Sequence, residues 1–181
     1  MKNFDGTIDV KNAGLVIIHP FFPMLFYRLG YLNESRRNFK DEDSRIRAIF
    51  ILQYLVYGEE NEWPESELFL NKLLLGVPDT QGLPRSLKLT ENEIKTADSL
   101  LESVRHSWDK MAHTSMLALR QAFFERKGSY TYEESTRRGW LKVETKPYDL
   151  LMDSMPWNIN VIRFPWMEKV FLLEVDWKLR S

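Results

Sequence analysis

Apolar residues are spaced at helical intervals through most of this chain, and at intervals suited to strands only in its last third. Residues 1–12 are polar, with a short alternation at Ile8 and Val10 that reads as a weak strand or an ordered arm. Leu15, Val16, Ile17 and Ile18 form an apolar run ending at His19-Pro20, where proline disfavours helix at the residue before it. Residues 21–29 read as a short helix. Pro23 lies in its first turn, where a missing N–H costs little, and Gly30 is its stop. Residues 46–57 are apolar on nearly every face, which marks a buried helix, started by the cluster Asp41, Asp43, Ser44 and ended by Gly58. Pro64 opens the next segment, with Glu65 and Glu67 at the positive end of the helix dipole. The apolar stretch 68–75 follows and stops at Gly76-Val77-Pro78.

After the Pro/Gly loop 78–89, Thr90 and Glu93 have the spacing of a capping box. Ile94, Ala97, Leu100, Leu101, Val104, Trp108 and Met111 then fall on one helical face over about five turns. Thr114-Ser115 restarts the chain into a helix through Leu119, Phe123 and Phe124, ending near Gly128. Beyond it, Trp140, Leu141 and Val143 form one strand candidate; Ile159, Val161 and Ile162 a second; residues 170–177 a third. Residues 147–152 read as one or two helical turns. The order predicts an α+β fold: an N-terminal helical bundle of about four to five helices, then a small antiparallel sheet. We expect one domain over residues 1–181, mainly helical over 8–128 and mainly strand over 129–181.

Composition narrows the function classes. Aromatics at 13% and hydrophobics at 44% exclude general disorder. Lys plus Arg total 25 against 26 Asp plus Glu, a net charge of -1, so no bulk charge draws the chain to nucleic acid or to an anionic membrane. Cysteine is absent, which excludes disulfides, thiolate metal sites and cysteine nucleophiles. Residues 13–30 are mostly apolar. They are preceded by Asp5 and Asp9 rather than a basic region, and they are interrupted by His19, Pro20, Pro23 and Arg28. They read as core, and the protein is expected to be cytoplasmic.

Few residues suggest chemistry. His106 and His113 stand seven apart, with Glu102 and Asp109 each four residues before one of them. A metal-dependent hydrolase can be drawn from these four, but H-E-x-x-H is missing and i,i+4 pairing on a wet helix face explains them as well. His19 reads as a buried histidine bonded to backbone. No G-x-S-x-G elbow and no Gly-rich phosphate cradle occurs. Arg36-Arg37 and Arg137-Arg138 read as solvated loop charge. The oddest feature is a repeated dipeptide, Pro156-Trp157 and Pro165-Trp166, flanking one strand, with Trp140 and Trp177 at other strand ends. The prolines mark strand ends or an edge, and the rings either fill the core or anchor a contact. The interaction candidates are therefore Trp157, Trp166, Pro156, Pro165 and Trp177, with no catalytic, cofactor or metal residue.

An ordered series of segments resembles a known family. It comprises Asn12-Ala-Gly-Leu-Val-Ile-Ile-His-Pro-Phe-Phe-Pro23, residues 52–60 (LQYLVYGEE), 67–76 (ELFLNKLLLG), 101–108, 114–126, 148–152, Pro156-Trp157 and Pro165-Trp166-Met167. Together these resemble the C-terminal region of the tape-measure proteins of bacterial contractile injection systems, phage-tail-like particles with a sheath, an inner tube and a spiked baseplate. The resemblance runs from about residue 8 to residue 177. It implies a structural role, no enzyme activity and no cofactor. It also implies partners among the baseplate hub, spike or inner tube proteins, with homo-oligomerisation as an option, and a cytoplasmic place in an assembled particle that is later released. The long N-terminal portion typical of the family is expected to be missing here, and a fully helical chain of 181 residues would span at most ~270 Å. The expectation is a folded terminal module that anchors or initiates. The alternatives are a free-standing adaptor or cargo-binding protein, or the metal-dependent hydrolase.

Overall fold

The computed structural model describes residues 6–178. The first five residues of the expected N-terminal arm, and residues 179–181, lie outside the described residues. The arm continues as strand β1 (Ile8–Val10) and the apolar run as a 3-10 helix, Ala13–Phe21, which carries on through His19-Pro20 instead of breaking there. Ala13 and Leu15–Ile18 are fully buried. Gly14 makes this possible: a Cβ there would lie 1.7 Å from the Phe123 carbonyl oxygen. Helix α1 (Phe22–Arg28) follows as expected, and Gly30 leaves it at φ 73.

Helix α2 (Glu42–Tyr57) is the buried helix its composition demands. Asp41 caps it by accepting from Ser44 N at 2.7 Å, and Gly58, at φ 71, closes it in the left-handed conformation. It packs against the 13–21 segment, α3 (Phe69–Leu74) and α4 (Glu91–Ser107). Buried amides tie these parts together: Asn12 Nδ2 donates to Asn71 Oδ1 at 2.8 Å, and Asn71 Nδ2 donates to Ile49 O at 2.9 Å. The Thr90–Glu93 capping box is formed in both directions.

Helix α4 is shorter than its apolar spacing predicts. Trp108 takes extended backbone (φ -99, ψ 92) and a 3-10 turn, Asp109–Met111, follows. The turn returns Met111 to the same core, so the apolar periodicity outlasts the helix. Ser115 then caps α5 (Met116–Leu119), which runs on as a π turn, Arg120–Phe124, burying Phe123 and Phe124.

Among the described residues the strands form one five-stranded sheet, ordered β1-β2-β3-β5-β4, with β2 at Gly128–Glu133, β3 at Arg138–Val143, β4 at Val161–Ile162 and β5 at Leu172–Asp176. The fold is mixed α+β, and two parts of the expectation need correction. The sheet is not purely antiparallel, because β3 pairs parallel with β5. A parallel pair needs a crossover of about a dozen residues or more; residues 144–171, containing the 3-10 segment Pro147–Ser154 and β4, supply it. Nor do the helices simply precede the strands. β1 pairs with β2, so the helical part is an insertion between neighbouring strands. β2 occupies the stretch between the expected helix end near Gly128 and the strand candidate at Trp140, where the sequence marks no strand. On the inner face Ile8, Val10, Tyr130, Leu141, Val143, Ile162, Leu173 and Val175 are buried; together with the helices they make one continuous hydrophobic cluster. On the outer face Trp140 and Val161 are exposed. No described helix is long and apolar enough to cross a membrane.

Candidate interaction site

The four residues of the hydrolase alternative do not assemble. α4 ends at Ser107, so His106 and His113 share no helix face, and all four side chains are exposed. His106 Nε2 lies 3.9 Å from Glu102 Oε2, an ordinary i,i+4 pair. Among the described residues no group of three or more His, Asp or Glu could hold a metal ion. His19 is buried, and its Nδ1 donates to Val16 O at 2.8 Å. Burial lowers its pKa and outweighs that hydrogen bond, which keeps the ring neutral.

The tryptophans part company. Trp166 is 5% exposed. Its ring stacks on Phe164 at 4.8 Å, meets Phe39 and Phe26, and its Nε1 donates to Leu74 O at 3.0 Å, so it ties the β4–β5 connection to α3. Trp177 is also buried, its Nε1 donating to Asp149 Oδ2 at 2.9 Å. Trp157 is half-buried: its Nε1 donates to Ile17 O at 2.7 Å, its ring meets Phe21 edge-on, and part of it reaches solvent beside the exposed Pro156. Pro165 is exposed next to the buried Trp166. Trp108 is fully buried, with Nε1 donating to Leu151 O at 2.8 Å and its ring 4.8 Å from Phe123.

Two buried charge networks escaped sequence reasoning. Arg126 and Asp149 are each 1% exposed and face each other as a fork: Nη1 donates to Oδ2 and Nη2 to Oδ1, both at 2.8 Å. Arg126 also donates to Ala122 O and Glu144 O, and Asp149 accepts from Lys146 N. Burial alone would raise the Asp149 carboxyl, but Arg126, the Trp177 indole and the Lys146 N–H together hold it below the usual range. In the second network Glu93 accepts from Arg47, Tyr31 and Thr90 N. Burial opposes these bonds and loses; the Glu93 carboxyl is held at about 2. Tyr31, buried and facing that carboxylate, is pushed well above its ordinary value. A lone Arg followed 23 residues later by an Asp carries no local pattern, so only the fold pairs them.

One open cleft of about 700 Å³ lies between α3 and the sheet, walled by Phe69, Tyr130, Tyr132, Trp166 and Phe171. Its two cations are already engaged. Lys72, 2% exposed, donates to Gln81 O at 2.6 Å and Asp79 O at 3.2 Å, and so staples the 78–81 loop. Arg45 Nη2 donates to Asn38 Oδ1 at 2.7 Å. The cleft lining contains no histidine, serine or threonine, and of its aromatic walls Tyr132 is half exposed while Phe69, Tyr130, Trp166 and Phe171 are buried.

A family model described as contractile injection system tape measure protein matches residues 2–177. No curated protein and no solved structure matches the chain.

Proposed function

Because the chain belongs to the contractile injection system tape measure protein family, we propose that it is a non-enzymatic assembly component of such a particle, anchored at the baseplate hub or the inner tube. The family is structural, and the match over nearly the whole chain carries the reading. Two observations support the finer part. The buried side chains of the described residues form one continuous cluster, which suits a folded anchor better than a strand of protein threaded along a tube. The candidate chemical residues lie scattered and exposed, while aromatic surface remains open at Tyr132 beside the cleft and at Pro156-Trp157. The partners are hub, spike or inner tube proteins. The chain works in the cytoplasm until the assembled particle leaves the cell.

The test is a deletion in the native host, with particles isolated by sedimentation and imaged. The expected result is loss of complete particles or a broadened distribution of tube length, with the tagged chain recovered beside hub or tube proteins. Normal particles in the deletion strain, and no chain in wild-type particles, would overturn the proposal.

A further inference from the structure

The outer side of α1 and residues 33–37 at the tip of the adjoining 32–39 hairpin form a surface that neither the cleft nor the buried networks use. Met24 and Tyr27, three apart on one face of α1, are 49% and 47% exposed. Three residues before Met24 is half-buried Phe21, with the Trp157 ring edge-on against it at 5.1 Å and exposed Pro156 beyond. Tyr27, Met24, Phe21 and Trp157 thus make a continuous apolar ridge.

Three arginines fall close in sequence to one end of it, and one of them touches it. Arg28 neighbours Tyr27 in sequence, and Arg36 lays its guanidinium 3.6 Å from the centre of the Tyr27 ring. Arg37 is exposed beside it. Arg36 holds this place at φ 60, a left-handed backbone that strains any residue with a side chain. Among the described residues none of the three lies within ion-pair distance of a carboxylate, a state shared with Arg85, Arg137 and Arg163, whereas Arg45, Arg47, Arg105, Arg120, Arg126 and Arg138 each reach one. Glu34, in the same hairpin, is exposed and reaches none of them.

We propose that this ridge docks an acidic segment of a partner protein, its apolar side chains against Met24, Tyr27 and Trp157 and its carboxylates on Arg28, Arg36 and Arg37. Planar guanidinium groups are built for two-point recognition of carboxylates, and Arg, Tyr, Trp and Met are the residues enriched where proteins meet. Three cations on a chain of net charge -1 fall short of the clusters of about four to eight that hold proteins on anionic lipid. The surface is defined by its chemistry, so the proposal stands whether or not the partner belongs to the particle.

The test places a benzophenone amino acid at Met24 in the native host, with Lys95 on the outer side of α4 as control position, and sequences whatever crosslinks on irradiation. The expected product is a protein segment with more Asp and Glu than Lys and Arg, absent from the control. Arg36→Gly, which accepts φ 60 without strain, and Arg28→Gln should each cut the yield about fivefold. So should raising salt from ~0.05 to ~0.5 M in an extract before irradiation, since exposed charge pairs are screened. A crosslink to a neutral or basic segment, to nucleic acid or to lipid would overturn the proposal. So would no crosslink, or a yield indifferent to both arginine variants. An acidic segment from a protein outside the particle would keep this proposal while counting against the preceding one.

Discussion

Replacing Asp149 with Asn changes one oxygen to an NH2 group and removes one charge, with almost no change in volume. In the native protein this carboxylate takes four hydrogen bonds: two from Arg126 at 2.8 Å, one from Trp177 Nε1 at 2.9 Å and one from Lys146 N at 2.9 Å. An amide has one accepting oxygen, so its NH2 must face one of these donors. The guanidinium, 1% exposed, is left without its counter-charge and loses at least part of the two-point bond, keeping Ala122 O, Glu144 O and at most the one amide oxygen. Removing one partner of a buried pair costs roughly 3–5 kcal/mol; the two remaining carbonyls favour the lower end. For a chain of this size each kcal/mol moves Tm by about 2–4 °C, which predicts a loss of roughly 6–20 °C. Arg126→Met should cost a similar amount by stranding the carboxylate. The double variant should cost less than the sum of the singles by at least about 2 kcal/mol, because no buried charge is left unpaired. Urea unfolding followed by circular dichroism measures all three at pH 7, with the denaturant slope checked for constancy. If Asp149→Asn loses under ~1 kcal/mol, or the singles simply add, the pair is not the buried unit described.

Three further outcomes are expected. Trp108→Ala should cost roughly 3–5 kcal/mol in the same assay, since a fully buried indole and its bond to Leu151 O are lost together; a loss under ~1 kcal/mol would contradict the packing. Gly14→Ala should prevent stable folding or shift the 13–21 segment, because its Cβ would meet Phe123 O at 1.7 Å, whereas Gly6→Ala meets nothing within 4 Å and is strained only by its φ of 83; equal melting temperatures for the two would refute the close approach. Glu93 has a folded pKa of about 2, below its unfolded value of ~4.3, so its contribution is complete above ~4.3 and is lost as pH falls toward 2. The loss should be roughly 2 kcal/mol after solvent screening at Arg47 is allowed for, and Glu93→Gln should flatten that part of the stability–pH curve; an unchanged slope in the variant would remove the assignment.

Much of the helical part is written in local pattern. The capping box at Thr90 and Glu93, the serine cap of α5, the left-handed glycines after α1 and α2, and the nearly all-apolar α2 can each be read from a few neighbouring residues, because helices are closed by bonds three and four residues apart. The C-terminal strands are likewise visible as short apolar alternations. The family, too, is legible in the order of the motifs. The candidate contact residues were legible only as a set: the sequence marks Trp157 and Trp166 alike, each after a proline.

Tertiary structure separates them. Trp166 meets Phe39, Phe26 and Phe164 and bonds Leu74, so that it is enclosed in the core, while Trp157 bonds Ile17 and meets Phe21 at the core's edge and keeps a wet side. The same long range decides the sheet. Ile8 pairs with Tyr130 and β3 runs parallel to β5, and neither direction nor partner is encoded in the residues of a single strand. The Arg126–Asp149 fork and the arginines around Tyr27 are equally invisible in sequence, where Arg36-Arg37 is an ordinary basic dyad. Local sequence specifies which backbone bonds a segment can close with itself. Which charges end up paired, and which surfaces stay open, depends on chain segments brought together by burying one shared core.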